Sequence, residues 1–213
     1  VEISSANGNN CQLHLKSMAA DTVEGTLTVK LIKDWNNYTF KTASMAVSVL
    51  NPDILMTNKS NPEVMKIMYA KKLAANSTYM TKAEAAAVVD SDLQSGSSYS
   101  TAIFANSSIK SFNEFEFFTG ITSVPAYCFY QCSQLNSIKL PSQVTKIGNY
   151  SFWRAGLRTA SVYEHLSITI PASVISIQNP YLRALNIYYE GSLSDWMNIK
   201  VSVNDLSSYN PPS

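Results

Sequence analysis

The chain is poor in the residues that most site chemistry needs. Its 213 residues include two histidines and three cysteines. With only His14 and His165, a Ser–His–Asp triad is arithmetically available, but no spacing draws its members together. Cys11, Cys128 and Cys132 are an odd, sparse set, unlike the even and dense cysteines of a small secreted disulfide scaffold. They read as buried thiols acting as small apolar side chains. No CxxC pair occurs and both histidines lie far away, so no metal site is expected. Charge is scarce too: 15% of residues are charged and the net charge is +1. That leaves no basic footprint for nucleic acid and none for an anionic membrane. No apolar run reaches the ~18 residues of a membrane span. The GxSxG, HExxH, Walker, GxGxxG and EF-hand patterns are absent. Acids are thinly spread. Glu114 and Glu116 are the closest pair in the C-terminal half, and as i, i+2 neighbours on a helix they point apart, against a glycosidase pair. The expectation is no enzyme, no catalytic residue and no cofactor.

Apolar residues, by contrast, make up 46% of the chain. That is enough for the core of one or two domains. Serine, threonine, asparagine and tyrosine are abundant, which suits an extracellular surface. Val1-Glu-Ile-Ser-Ser does not read as a signal peptide. On this reading any signal or lipid anchor lies ahead of Val1.

The most informative stretch repeats itself. Ile121-Thr-Ser-Val-Pro-Ala-Tyr-Cys-Phe129 aligns with Val144-Thr-Lys-Ile-Gly-Asn-Tyr-Ser-Phe152, 23 residues on. A third copy is Val174-Ile-Ser-Ile-Gln-Asn-Pro-Tyr-Leu182. Leu135-Asn-Ser-Ile-Lys-Leu-Pro141 precedes the second copy and Ser167-Ile-Thr-Ile-Pro171 the third. In both, Pro stands three residues ahead of the Val. Each unit reads as strand, Pro corner, Val-x-x-Ile and an aromatic or Leu anchor. A period of about 20–29 residues with one short strand per unit is the pattern of leucine-rich repeats. One unit cannot bury its own apolar face, but stacked units can. Ile138, Leu140, Val144, Ile147 and Phe152 should meet Ile168, Ile170, Val174, Ile177 and Leu182.

The run Phe129-Tyr-Gln-Cys132-Ser-Gln-Leu135-Asn-Ser-Ile-Lys-Leu-Pro-Ser-Gln-Val-Thr-Lys-Ile-Gly148-Asn-Tyr-Ser-Phe152 resembles the BspA-like leucine-rich repeat of surface proteins from gut anaerobic Gram-negative bacteria. Ile187-Tyr-Tyr-Glu-Gly-Ser-Leu-Ser-Asp-Trp196 is similar to the tail that closes such arrays. The resemblance covers residues 109–201. It departs in the third unit, where Arg158 to His165 is an insertion, Gln178 stands for the Gly and Leu182 for the Phe. It implies an extracellular or outer-surface protein that adheres to host matrix proteins or other cells.

Read in order, the fold class is α+β. Residues 1–58 form a β-rich domain, with period-two alternation in Gln12–Met18, Gly25–Ile32 and Ala43–Leu50. It is either a small sheet or the later part of an immunoglobulin-like domain. Turns are expected at Asn7–Asn10 and Asp34–Asn37. His14 falls on an alternating strand and reads as structural. Residues 51–61 read as a linker. Residues 59–108 form a helical segment. Asn61 is its N-cap, Pro62 its first helical residue, and the helix should end near Ala75–Asn76. Thr81 and Glu84 make a capping box for a second, alanine-rich helix. Residues 94–101 are a flexible loop by composition. Residues 109–203 hold a leucine-rich-repeat solenoid of about three coils with helical caps. Ser111 and Glu114 suggest a capping box opening a helix with Phe112, Phe115 and Phe118 on one face, a plug for the first coil. Ser192–Trp196 should plug the last. Residues 204–213 form an irregular tail.

A solenoid is a shape for binding, so function is sought on its surface. Alternation around Ile138, Leu140, Ile168 and Ile170 turns Ser137, Lys139, Ser167 and Thr169 outward. Tyr130, Trp153 and Arg154 follow the buried anchors on another edge, where aromatics beside Arg make common contact residues. Trp153 either meets a ligand there or folds onto the neighbouring coil. These seven residues are the expected ligand-binding set. The partner is a protein, such as a host matrix protein, or a glycan. The alternative is a carbohydrate-binding or structural accessory module of the cell envelope.

Overall fold

In the computed structural model of the chain, the described residues are the strand backbones 2–7, 10–14, 23–32 and 40–49, and residues 53–94, 102–157, 166–178 and 186–202. Contacts divide the chain into Val1–Ile54 and Leu55–Ser213.

In the first unit, β1 (Glu2–Asn7) pairs antiparallel with β2 (Asn10–His14). The longer β3 (Val23–Ile32) pairs antiparallel with β4 (Phe40–Val49) in unbroken register from Val23↔Val49 to Ile32↔Phe40. The alternating stretches around Gly25 and Ala43 become this long pair. Both form separate two-stranded sheets. The turn centre at Gly8 and the turn at Asp34–Asn37 lie outside the described residues, as do the side chains of Cys11 and His14.

Strand β5 (Ile54–Thr57), in the second unit from Leu55 on, pairs with β6 (Tyr79–Thr81). The stretch 51–61 is therefore not all linker. Met56 is buried and Asn58 N–H donates to the Thr78 carbonyl at 2.8 Å. The apolar run Ile54-Leu-Met is too short to stand out between Pro52 and the polar residues after it. Helix α1 (Pro62–Ala70) has Pro at its start and Glu63 in its first turn. It buries Val64, Met65 and Met68 and stops earlier than expected, at Lys71. Lys72 adopts φ of 61°, which ends the helix. Asn61 precedes α1 but makes no capping bond with its side chain. Its Nδ2 donates instead to the Ser111 carbonyl at 3.0 Å. Helix α2 (Lys82–Ala87) has the capping box of Thr81 and Glu84, and α3 (Asp90–Leu93) follows. Burial raises the Glu84 pKa, but hydrogen bonds from Thr81 and Ala75 outweigh that and hold it below its usual value. The loop at 95–101 lies outside the described residues.

From Ser111 the chain alternates between two parallel sheets. One holds β7 (Ser111–Phe112), β9 (Ser137–Lys139), β11 (Ser167–Ile170) and β13 (Asn186–Tyr189), in that order. The other holds β8 (Ser123–Val124), β10 (Lys146–Ile147), β12 (Ser176–Gln178) and β14 (Lys200–Ser202). Four strands stand in each sheet, one more than the expected coil count. Asn186-Ile-Tyr-Tyr supplies the fourth strand of the first sheet.

Two of the expected stacking pairs stand in register. Ile138 pairs with Ile168, and Ile147 lies between Val124 and Ile177. All are buried, with the rings of Phe104, Phe129 and Phe152 stacked at 5.2 and 5.3 Å between successive units. Leu182 and the insertion 158–165, with His165, lie outside the described residues. The Pro corners have a mechanical meaning. Val144 N–H donates to the Pro141 carbonyl at 3.1 Å, and Val174 N–H to the Pro171 carbonyl at 3.2 Å. In each turn the proline holds the first position, and its carbonyl receives the closing bond from the Val three residues on. The anchors sit on a second corner, where Tyr127 and Tyr150 have φ of 62° and 54°, and Gln131 and Arg154 have 55° and 57°. These left-handed positions repeat with the sequence. Gly148 is required for a different reason: a Cβ there would come within 2.7 Å of the Val124 carbonyl oxygen and the Ala126 nitrogen.

The capping box expected at Ser111 does not form. Ser111 and Phe112 are a strand, and Asn113–Phe117 is a 3-10 helix without a side-chain cap. Pairing with Ser137 and Ile138 takes the backbone that a cap would have used. Phe112, Phe115 and Phe118 are nevertheless fully buried and pack on one another at 5.1–5.4 Å. Helix α4 (Leu193–Met197) does have the capping box of Ser192 and Asp195.

Candidate interaction surface

Register decides what the first sheet presents. Ser111, Ser137, Ser167 and Asn186 are successive partners across its four strands. Two residues on, Lys139, Thr169 and Tyr188 form a second row. Inward neighbours Phe112, Ile138 and Ile168 are buried, while the serines, Lys139 and Thr169 are half-buried and Asn186 and Tyr188 exposed. Alternation along a strand puts both rows on the outer side. Four of the seven expected residues, Ser137, Lys139, Ser167 and Thr169, therefore share one face. Sequence reading missed Ser111, Asn186 and Tyr188, although Asn186-Ile-Tyr-Tyr alternates as the other strands do.

Lys139 is not an isolated cation. Its Nζ lies 2.7 Å from Glu116 and 3.4 Å from Glu190. Hydrogen bonding and charge from Glu116 raise its pKa, with Glu190 adding to the effect. The two acids stand after β7 and β13, on either side of β9. Two carboxylates share one ammonium, so the cluster carries excess negative charge. Glu114 and Glu116 diverge as expected: Glu114 lies 3.4 Å from Asn61 Nδ2, and Glu116 reaches Lys139. Nothing local in the sequence signals that partnership.

Tyr130, Trp153 and Arg154 are on the anchor corner, away from those rows. Trp153 folds onto the neighbouring repeat: its ring lies 4.7 Å from Tyr130, 12° from parallel. The Arg154 guanidinium sits 4.3 Å from the same indole. A parallel ring so close leaves the guanidinium the other face. Tyr127 and Tyr150 form a second stacked pair at 5.5 Å. The corner is also stitched by main chain, with Tyr127, Phe129 and Gln131 N–H donating to the carbonyls of Asn149, Ser151 and Trp153.

Cys128 and Cys132 are fully buried and free. Burial pushes the Cys128 thiol well up, and pushes Cys132 to about 11 against hydrogen bonds with Ser107. The Cys132 thiol donates to the Phe104 carbonyl at 3.0 Å. Both thiols therefore resist ionisation, which works against a reactive thiolate. Among the described residues, no three His, Cys, Asp or Glu side chains gather as a metal site, and no helix is long and apolar enough to cross a membrane.

Residues 97–183 match the family described as the BspA type leucine rich repeat region, in six copies. No curated protein and no solved structure matches the chain.

Proposed function

Because residues 97–183 are a BspA-type leucine-rich repeat region, a module of protein interaction, we propose that this chain is a non-enzymatic binding protein of the cell surface or the extracellular space. Its outer strand face, with Ser137, Lys139, Ser167 and Thr169, docks a protein ligand such as a matrix protein. The observation that carries this reading is the register of β7, β9, β11 and β13. It lines hydroxyls, an amide, a shared lysine and an exposed tyrosine in two rows on a rigid sheet. Adaptable hydrogen-bonding groups beside one aromatic suit a protein partner.

The carbohydrate reading has less support. Sugar rings stack on an open aromatic face, and Trp153 has Tyr130 and Arg154 against its faces. The test is a binding screen of the purified chain on immobilised matrix proteins and glycans, with Thr169→Glu and Trp153→Ala beside it. We expect a protein ligand whose affinity falls roughly tenfold or more with Thr169→Glu. A glycan lost with Trp153→Ala but indifferent to Thr169→Glu overturns the reading, as does silence across the screen.

A further inference from the structure

The charges on the outer face of the first sheet do not balance. Among the described residues that register places in its two outward rows, Lys139 alone is charged. Two carboxylates reach that one ammonium, Glu116 from the segment after β7 at 2.7 Å and Glu190 from the segment after β13 at 3.4 Å. The side chains of Lys139, Glu116 and Glu190 are 36%, 34% and 42% exposed, so a partner on this face can reach all three. A carboxylate arriving at Lys139 would be the third around one cation. An ammonium or guanidinium arriving there finds two acceptors with a single donor group between them. Tyr188 stands on the same row. It pairs with Thr169, which pairs with Lys139, so it lies two strands, or about 10 Å, from the cluster. It is 57% exposed. An open aromatic ring attracts a cation to its face, so both features of the row select the same sign of charge.

Resting on the docking reading above, we propose that the partner presents a basic segment to this face, with a lysine or arginine side chain seated between Glu116 and Glu190. Lys139 is then an internal cation that holds the two acids together and competes with the partner, not a contact that draws the partner in. Arginine is the better fit, since its planar fork can meet two carboxylates at once. The exchange is easy because ion pairs this exposed are held weakly. Complementary charge at such a place sets which partner is accepted and how fast it arrives more than how tightly it is held.

The experiment titrates the full chain with two fluorescent peptides of equal length, one arginine-rich and one glutamate-rich, and reads anisotropy. Lys139→Met, Glu116→Gln and Glu190→Gln run beside the parent, and far-ultraviolet spectra check that each variant folds. We expect the arginine peptide to bind, roughly threefold tighter in Lys139→Met and weaker by a similar factor in either Gln variant. Lys146→Met removes the same charge from an exposed site on the other sheet and should change binding little. An arginine peptide that does not bind overturns the proposal. So does weaker binding in Lys139→Met, preference for the glutamate peptide, or an effect of Lys146→Met as large as that of Lys139→Met. The docking reading fails separately, through silence in the screen of matrix proteins or a protein ligand indifferent to the bulk of Thr169→Glu. A protein ligand that Thr169→Glu and Lys139→Met both weaken would leave docking standing and overturn only the sign of the partner's charge.

Discussion

Tyr130 and Trp153 occupy equivalent places on neighbouring repeats, with ring centroids 4.7 Å apart and planes 12° from parallel. Arg154 lies on the same indole at 4.3 Å. The stack joins two repeats along an edge that also exchanges main-chain bonds. Trp153→Ala should cost about 1–2 kcal/mol, the sum expected for an aromatic pair and a cation–π contact. Trp153→Phe should recover part of the loss. Urea unfolding followed by circular dichroism reads both. An unchanged midpoint in the Ala variant would mean that the stack contributes nothing to the fold.

Asp90 ties α3 to the start of β8. Burial raises its pKa, but four hydrogen bonds from Thr122 and Ser123 outweigh that and leave the carboxyl below its ordinary value. A carboxyl depressed in the folded state adds stability that is complete above its unfolded pKa, near 4, and lost as pH falls through the folded value. Asp90→Asn should therefore melt lower than the parent at pH 7, and the gap should narrow in acid below that range. A gap that stays constant from neutral to strongly acid pH would refute the linkage.

Ser151 is fully buried, and its hydroxyl has no hydrogen-bond partner among the described residues. It stands where the preceding repeat has Cys128. A buried unpaired hydroxyl costs about 1–3 kcal/mol. Ser151→Ala should raise the melting temperature, and Ser151→Cys should do so by restoring the side chain of the earlier repeat. Differential scanning calorimetry is the measurement. A lower melting temperature in both variants would count against the assignment.

Phe115 touches Phe112, Phe118 and Phe129 at 5.1–5.5 Å and is wholly buried. Its removal opens a cavity beneath the first repeat. Phe115→Ala should destabilise the second unit by about 3–5 kcal/mol, seen as a fall in the urea midpoint. Phe117, on the same 3-10 helix but 39% exposed, serves as the control. Its Ala variant should lose much less.

Much of the repeat region was legible because its signals are local and periodic. Alternation at Ser137-Ile-Lys and Ser167-Ile-Thr-Ile told which side chains point out, and the Pro-to-Val spacing marked the corners. The 23-residue offset told which residues stack, because stacked units carry the same side chain at the same place. Other features were misread where two local signals competed. Ser111 with Glu114 looks like a capping box, but strand pairing to Ser137 claims the same backbone. Asn61 looks like an N-cap, but its amide reaches a carbonyl 50 residues ahead.

What the sequence by itself determined is the repeat, its inward and outward sides and its corner turns, since each follows from neighbours within one unit. Tertiary structure alone decided the polar partnerships. Glu116 and Glu190 meet at Lys139, and Asp90 meets Thr122, because stacking aligns segments that are far apart along the chain. Such pairs need only proximity and opposite polarity, which leave no period in the sequence. Tertiary structure also decided that Ile187 and Val201, patterned as core, stand open to solvent. Burial is a property of what lies alongside a residue, and the pattern of a strand records only which way that residue faces.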